Sequence, residues 1–376
     1  MSSTLRVLHA ANILLGNTYT GLAPDLCRER YFKFPEVFDS LFAYIEKEQI
    51  DLVLFSGNLC SRYLTSSDAA HLLKKLKDSS CRFVIAPGDQ DSYANDSFYA
   101  SGRLPTNVSV FTGEQSERID FDDLGVSVYG WAILSQRIKI SPLAGSSVAD
   151  PDRINLIVGS CNMEENSLYA HVTVSDLINF GADYAALAHG AATEMRVAGR
   201  THYCHAGFLE GRNFEETGIG GVWRIDIDRE DDGTRRVRTS FVPLSRHRYE
   251  VITLDITGVT DMSEVTERTA AAIAERGYGE ETSLRVILEG ELPPTAILRH
   301  RPEEGNSFAL YSIEFVDRTL PTLNTELLER DMSVRGELYR TLLSRLSSPN
   351  LDDRIAAAEA LRAGLAALES RDITVF

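Results

Sequence analysis

The sequence predicts an α/β fold: a β-sandwich flanked by helices, followed by a small α+β unit and a helical tail. Three observations point there. The first ninety or so residues alternate short apolar runs with segments of helical periodicity. A β-rich stretch follows, and the last fifty residues carry Leu and Ala stripes at helical spacing.

In order, Leu5-Arg6-Val7-Leu8-His9-Ala10 reads as a strand that runs into a loop with Gly16 and Gly21. Phe34 to Gln49 places Val37, Phe38, Leu41, Phe42 and Ile45 on one helical face. Asp51 to Gly57 is a short apolar run ending in Gly, typical of a strand buried on both faces. Ser67 to Lys77 repeats the helix signal with Leu72, Leu73 and Leu76, and Cys81 to Ala86, ending in Pro87-Gly88, repeats the strand signal. A β-α-β-α-β run of this kind predicts a parallel core with its loops gathered at the carboxyl ends of the strands. Further strands are predicted at Ser127–Trp131, Ile154–Gly159, Tyr184–Leu187 and Val222–Asp228.

Near Arg246 the pattern changes. Strands are predicted at Tyr249–Ile256, Thr282–Leu288 and Phe308–Phe315, with an Ala-rich helix at Ser263–Arg276 and a short helical candidate at Pro294–Arg299. From about Thr325 the chain reads as helical. One stripe is Leu338, Leu342, Leu343 and Leu346; another is Ile355, Ala358, Leu361, Leu365 and Leu368. The expected divisions are therefore 1–246, 247–320 and 321–376.

Composition narrows the function classes. Hydrophobic residues make up 43% and charged residues 25% of the 376 positions, as expected of an ordinary globular chain rather than a disordered one. No apolar run reaches bilayer length, and the N-terminus does not read as a signal peptide. The five cysteines are scattered without a CxxC pair, which fits reduced thiols and a cytoplasmic setting. The net charge of -17 opposes binding of nucleic acid through the chain's own overall field, because phosphate contacts rely on Lys and Arg.

Three predicted strand ends carry AANILLG, SGNLCSR and PGDQDSY; later come ADYAALAHGAA and GFLEGRNFEETGIGG. In order and spacing these resemble the motifs of the calcineurin-like metallophosphoesterase superfamily, in particular the SbcD exonuclease type and its YhaO-like branch. The resemblance implies a calcineurin-like β-sandwich, a capping domain and a two-metal phosphodiesterase site. It also implies C-terminal helices that bind an SMC-like, SbcC-type ABC ATPase in DNA repair, with DNA met only through that complex. Homodimerisation is implied through helices of the phosphoesterase domain, where the apolar face of Phe34–Gln49 is equally suited to packing on its own sheet.

The ligands implied by those motifs are mostly missing. Two ions about 3.5–4 Å apart need a bridging carboxylate and imidazoles. The resemblance puts Asn12 and Leu14 where Asp and His are expected, Asn58 at the bridging Asp and Asp89 at a ligand Asn. Gln90 takes the position of the His that acts on the scissile phosphate. Val158 lies where a fourth-motif His is expected, while the fifth motif keeps His189 and has Ala191 as its partner. Changes that merely reorient metal ligands already cost about 10–100-fold, and Leu14, Val158 and Ala191 have no donor to offer. The expected outcome is a vestigial site without a competent metal pair, and a catalytically impaired subunit or scaffold. The alternatives are an altered nuclease using one weakly held Mn²⁺ or other divalent ion at Asp89 and His189, and a phosphate or nucleotide binder that does not hydrolyse.

Other local patterns rank lower. His202, Cys204 and His205 look metal-like, but strand alternation would send His202 and His205 to opposite faces. Ser160-Cys161 has no base nearby in sequence, and Arg235 to Arg238 reads as a solvated basic edge.

Overall fold

The computed structural model describes residues 4–135, 138, 140–163, 167, 169–189, 194–230, 233–293, 308–322 and 325–368. Its contacts divide the chain into Met1–Arg246 and His247–Phe376.

The first unit is a two-sheet sandwich. One sheet is built from β1 (Thr4–Ala10), β2 (Leu52–Phe55), β3 (Arg82–Ile85) and β4 (Val108–Val110), all parallel. Two long antiparallel strands, β11 (Gly221–Arg229) and β12 (Arg235–Pro243), extend it to the order β12-β11-β1-β2-β3-β4. The other sheet has the order β5-β6-β7-β8-β10-β9. Its strands are β5 (Glu117–Phe121), β6 (Val126–Gly130), β7 (Ile154–Ser160), β8 (Tyr184–Ala188), β9 (Arg196–Ala198) and β10 (Thr201–His205), with β6, β7, β8 and β10 parallel.

Residue alternation along each strand fills three apolar layers. Val7, Leu54, Val84, Val128, Leu156, Val158 and Ile225 lie between the sheets. Leu8, Val53, Phe55 and Phe83 meet α1 (Pro24–Lys47) and α2 (Ser66–Asp78) on one outer face. Ile157, Ala185 and Leu187 meet α3 (Val174–Phe180) on the other. This is the α/β sandwich flanked by helices that the sequence predicts.

Helix α1 starts ten residues before the predicted Phe34. Pro24 sits in its first turn, where a missing N–H costs nothing, and Pro35 is accommodated inside. Arg30, buried within this N-terminal extension, forms an ion pair with Glu210. Helix α2 begins with a capping box: Thr65 accepts from the Asp68 amide, and Asp68 accepts from the Thr65 amide.

In the second unit, β13 (Arg248–Asp255), β14 (Thr282–Glu289) and β16 (Ser312–Asp317) form a parallel sheet covered by α4 (Met262–Arg276). A small parallel pair, β15 (Glu291–Leu292) and β17 (Leu320–Pro321), lies in the same unit. The third strand is shorter than predicted, beginning at Ser312 rather than Phe308. The helical candidate at 294–299 falls outside the described residues. Helices α5 (Thr325–Arg330), α6 (Val334–Leu346) and α7 (Leu351–Leu368) belong to this unit; the first predicted stripe meets Leu361 and Leu365 of the second, while Leu368 is exposed. Leu338, Leu342, Leu343 and Leu346 pack with Leu361 and Leu365. Among the described residues, no helix is long and apolar enough to cross a membrane.

Candidate functional site

The loops after β1, β2 and β3 meet at one rim of the sandwich, knitted by backbone bonds. Asn12 N donates to Gly57 O at 3.0 Å, Leu14 N to Asn58 O at 2.8 Å and Leu15 N to Leu59 O at 3.0 Å. To make this ladder the backbone enters the left-handed region at Asn12 (φ 47°), Leu14 (φ 50°) and Asn58 (φ 56°). Asn tolerates that region; Leu does so at a cost of roughly 1–2 kcal/mol. Gly88 is needed for another reason: a Cβ there would lie 2.3 Å from Asn58 Oδ1.

The side chains form a closed lattice of neutral donors around one carboxylate. Asn58 Oδ1 accepts the Gln90 backbone N–H at 2.9 Å, which fixes the amide's orientation. Its Nδ2 then donates to Asn12 Oδ1 at 3.0 Å and to Asp89 Oδ1 at 3.0 Å. Asn12 Nδ2 is held by Gly207 O at 2.8 Å, and Gln90 Nε2 donates to Asp89 Oδ2 at 2.8 Å. On the far side, Tyr169 stacks on His189 with ring centroids 4.0 Å apart. The Tyr169 hydroxyl reaches Ser160 Oγ at 3.1 Å and donates to Asp89 Oδ1 at 3.5 Å. Burial, and then the charge of Asp89, push the Tyr169 phenol well above its usual range, so it stays a donor. His189, itself in the left-handed region at φ 71°, has Nδ1 4.0 Å from Asp89 Oδ1.

Asp91 anchors the lattice from below. Gly88 N, Asn58 N and Cys60 N donate to it at 2.7, 3.1 and 3.0 Å, and the Tyr99 hydroxyl adds a fourth bond. Burial raises the Asp91 carboxyl above its ordinary value, opposed by these four donors. A second clamp explains the GFLEGRNFEE string. Buried Arg212 forms a two-pronged ion pair with Glu216 and places Nη1 3.4 Å from Asn12 O, while Arg212 O accepts Thr20 N at 3.1 Å. The clamp holds the loop after β1 at both ends.

The structure brings Asn12, Leu14, Asn58, Asp89, Gln90 and His189 to this rim. It does not bring Val158, which is fully buried between the sheets. The residue of β7 that reaches the rim is Ser160, two positions later on the same face. Counting along an apolar run could not distinguish those two. Ala191 lies outside the described residues. His202 and Cys204 share one face of β10 and His205 takes the other, its Nδ1 bonded to Ala188 O at 3.1 Å.

A polar group missed in the sequence lies deeper. His9 bridges the two sheets, with Nδ1 2.9 Å from the Tyr184 hydroxyl and Nε2 2.8 Å from Ser56 Oγ; Cys204 Sγ lies 3.3 Å from the same hydroxyl. All of His9 is buried, and burial, followed by the nearby His205, lowers its pKa to about 3. It is a neutral core histidine. One His in an apolar strand gives no signal of this bridge.

The rim does not fit a two-metal group. A bridging position needs a carboxylate, whereas Asn58 turns N–H donors toward both neighbouring oxygens. Among the described residues, no three His, Cys, Asp or Glu side chains are grouped to hold a metal ion. What the rim can do is present one carboxylate and one imidazole through a ring of amides.

In sequence the chain is similar to a metallophosphoesterase. The uncharacterized metallophosphoesterase YhaO of Bacillus subtilis (strain 168) is 23% identical over 308 residues, 78% of this chain and 74% of that protein. No protein-family model matches the sequence. Among solved structures, TT1561 of Thermus thermophilus covers 64% of this chain and 99% of its own at 12% identity, with a TM-score of 0.37. Vps29 of Chaetomium thermophilum covers 63% and 97% at 12% identity, with a TM-score of 0.28. At those scores the structures add nothing to the sequence likeness.

Proposed function

We propose that the chain is a catalytically impaired metallophosphoesterase-like protein that serves as a subunit or scaffold for an SMC-like, SbcC-type ATPase in DNA repair. The observation that carries the impairment is Asn58. Its amide donates to Asp89 where a phosphoesterase needs a carboxylate bridging two cations. Gln90, occupied by Asp89, replaces the imidazole that would face the scissile phosphate. The expected result is a purified chain carrying far less than two transition-metal ions and leaving DNA intact in Mn²⁺. Two ions per chain together with DNA cleavage would overturn the reading.

The partner rests on the resemblance of the C-terminal helices. Their packing sharpens where docking would occur. The Leu stripes of α6 and α7 are committed to each other, so contact falls to exposed residues beside them: Leu327, Met332 and Val334. Deleting residues 325–376 should abolish co-purification with the ATPase and leave the first unit folded. Retained co-purification would count against this surface.

A second reading has one observation behind it. Asp89 and His189 stand 4.0 Å apart, close enough to share a single weak divalent ion in an altered hydrolytic site. Mn²⁺ binding abolished by Asp89→Asn would favour it.

A further inference from the structure

We infer that the Asn58 amide takes the place of a cation at this rim, and that this one residue keeps divalent metal out. The inference rests on the impaired-site reading above and names what enforces it.

The argument starts from the lattice. A carboxylate in a half-buried cleft needs positive or donor partners. Asp89 finds them without any ion: Asn58 Nδ2 at 3.0 Å on Oδ1, and Gln90 Nε2 at 2.8 Å on Oδ2. Asn58 cannot turn its oxygen toward a cation in their place. Its Oδ1 is committed to the Gln90 backbone N–H at 2.9 Å, and Gly88 packs directly against it. Asn12 is locked the same way by Gly207 O, so its oxygen faces the Asn58 donor rather than open cleft. An entering ion would have to break several bonds at once and would leave N–H groups pointing at positive charge.

The backbone, by contrast, is set by main-chain bonds: Asn12, Leu14, Asn58 and His189 all hold positive φ, and the first three lie in the ladder between the loops after β1 and β2. Strain of this kind persists where surrounding structure over-determines it. Asp tolerates the left-handed region as Asn does. Asn58→Asp therefore changes chemistry at the key position without asking the loop to move. It removes the donor and sets a second carboxylate about 3 Å from Asp89, a pair that cannot both ionise without a counter-ion.

The test compares the full-length chain, Asn58→Asp, Asn58→Ala and Asn58→Asp/Asp89→Asn by thermal unfolding with EDTA or Mn²⁺, and by direct Mn²⁺ titration. The unsubstituted chain should be indifferent to Mn²⁺. Asn58→Asp should melt lower in EDTA by roughly 4 °C and regain stability as Mn²⁺ rises. The Ala variant and the double variant should show no Mn²⁺ response. If Asn58→Asp does not fold in EDTA, folding restored by Mn²⁺ supports the inference, and failure in both while Asn58→Ala folds overturns it. Indifference of both the unsubstituted chain and a folded Asn58→Asp to Mn²⁺ sinks the inference alone. Tight Mn²⁺ binding by the unsubstituted chain sinks the impaired-site reading with it.

Discussion

The sandwich holds two polar clusters that differ in kind. The inner one, His9 with Ser56, Tyr184 and Cys204, is fully buried, and its parent strands are regular. The outer one, Asn12 with Asn58, Asp89 and Gln90, is partly open and sits on loops with four strained residues. The inner cluster explains itself: buried polar groups must find partners, and these three ring and hydroxyl groups fit one another across the sheets. The outer cluster is held differently: its left-handed backbone, at Leu14 included, serves the ladder of main-chain bonds between the loops after β1 and β2. Side chains at a rim can change one at a time, because solvent absorbs unpaired groups. The loops beneath them cannot, because Asp91 and Arg212 tie them to the core. The rim's backbone is thus fixed more firmly than its side chains.

Breaking the inner cluster should have the largest effect. His9→Ala opens a cavity between the sheets and strands the Tyr184 and Ser56 hydroxyls. A loss of roughly 3 kcal/mol is expected in urea unfolding; a loss under about 1 kcal/mol would mean the bridge contributes little.

Acid should act on the same cluster. His9 is neutral when folded and has a pKa lowered to about 3 from 6.5. The unfolded chain therefore takes up a proton below about pH 6.5 that the folded chain refuses. The His9 contribution is fully present above that pH and fades as pH falls toward 3, by about 1.4 kcal/mol per unit. His205, also lowered by burial, acts in the same direction. His9→Gln should flatten the acid limb of stability plotted against pH, and an unchanged limb would place the proton uptake elsewhere.

The outer cluster should give the smallest effect. Tyr169→Phe keeps the stack on His189 and removes only the hydroxyl bonded to Ser160 and Asp89. A change of about 1 kcal/mol or less is expected because water can replace it. A loss as large as that of His9→Ala would erase the distinction between the clusters.

Much of this is legible in the residue string. The parallel run of strands follows from short apolar segments between helical ones, and the rim residues Asn12, Asn58, Asp89 and Gln90 follow from motif order. Helix α1 reads short because Pro35 looks like its beginning. Val158 is misplaced at the rim because a buried strand is apolar at nearly every position and shows no sign of where it surfaces. Asp91, Tyr99, Tyr169 and Arg212 are invisible as a set, since their partners lie up to 200 positions away in the chain.

Residue order alone dictates the kind of side chain at each strand end, and so an aliphatic group at Leu14 and an amide rather than a carboxylate at Asn58. Periodicity and residue type are local properties, and one dimension suffices to carry them. That the Asn58 amide points at Asp89 rather than away is settled in three dimensions. Its orientation depends on the Gln90 N–H and the Gly88 backbone arriving from another strand, and hydrogen-bond direction does not exist until those loops meet.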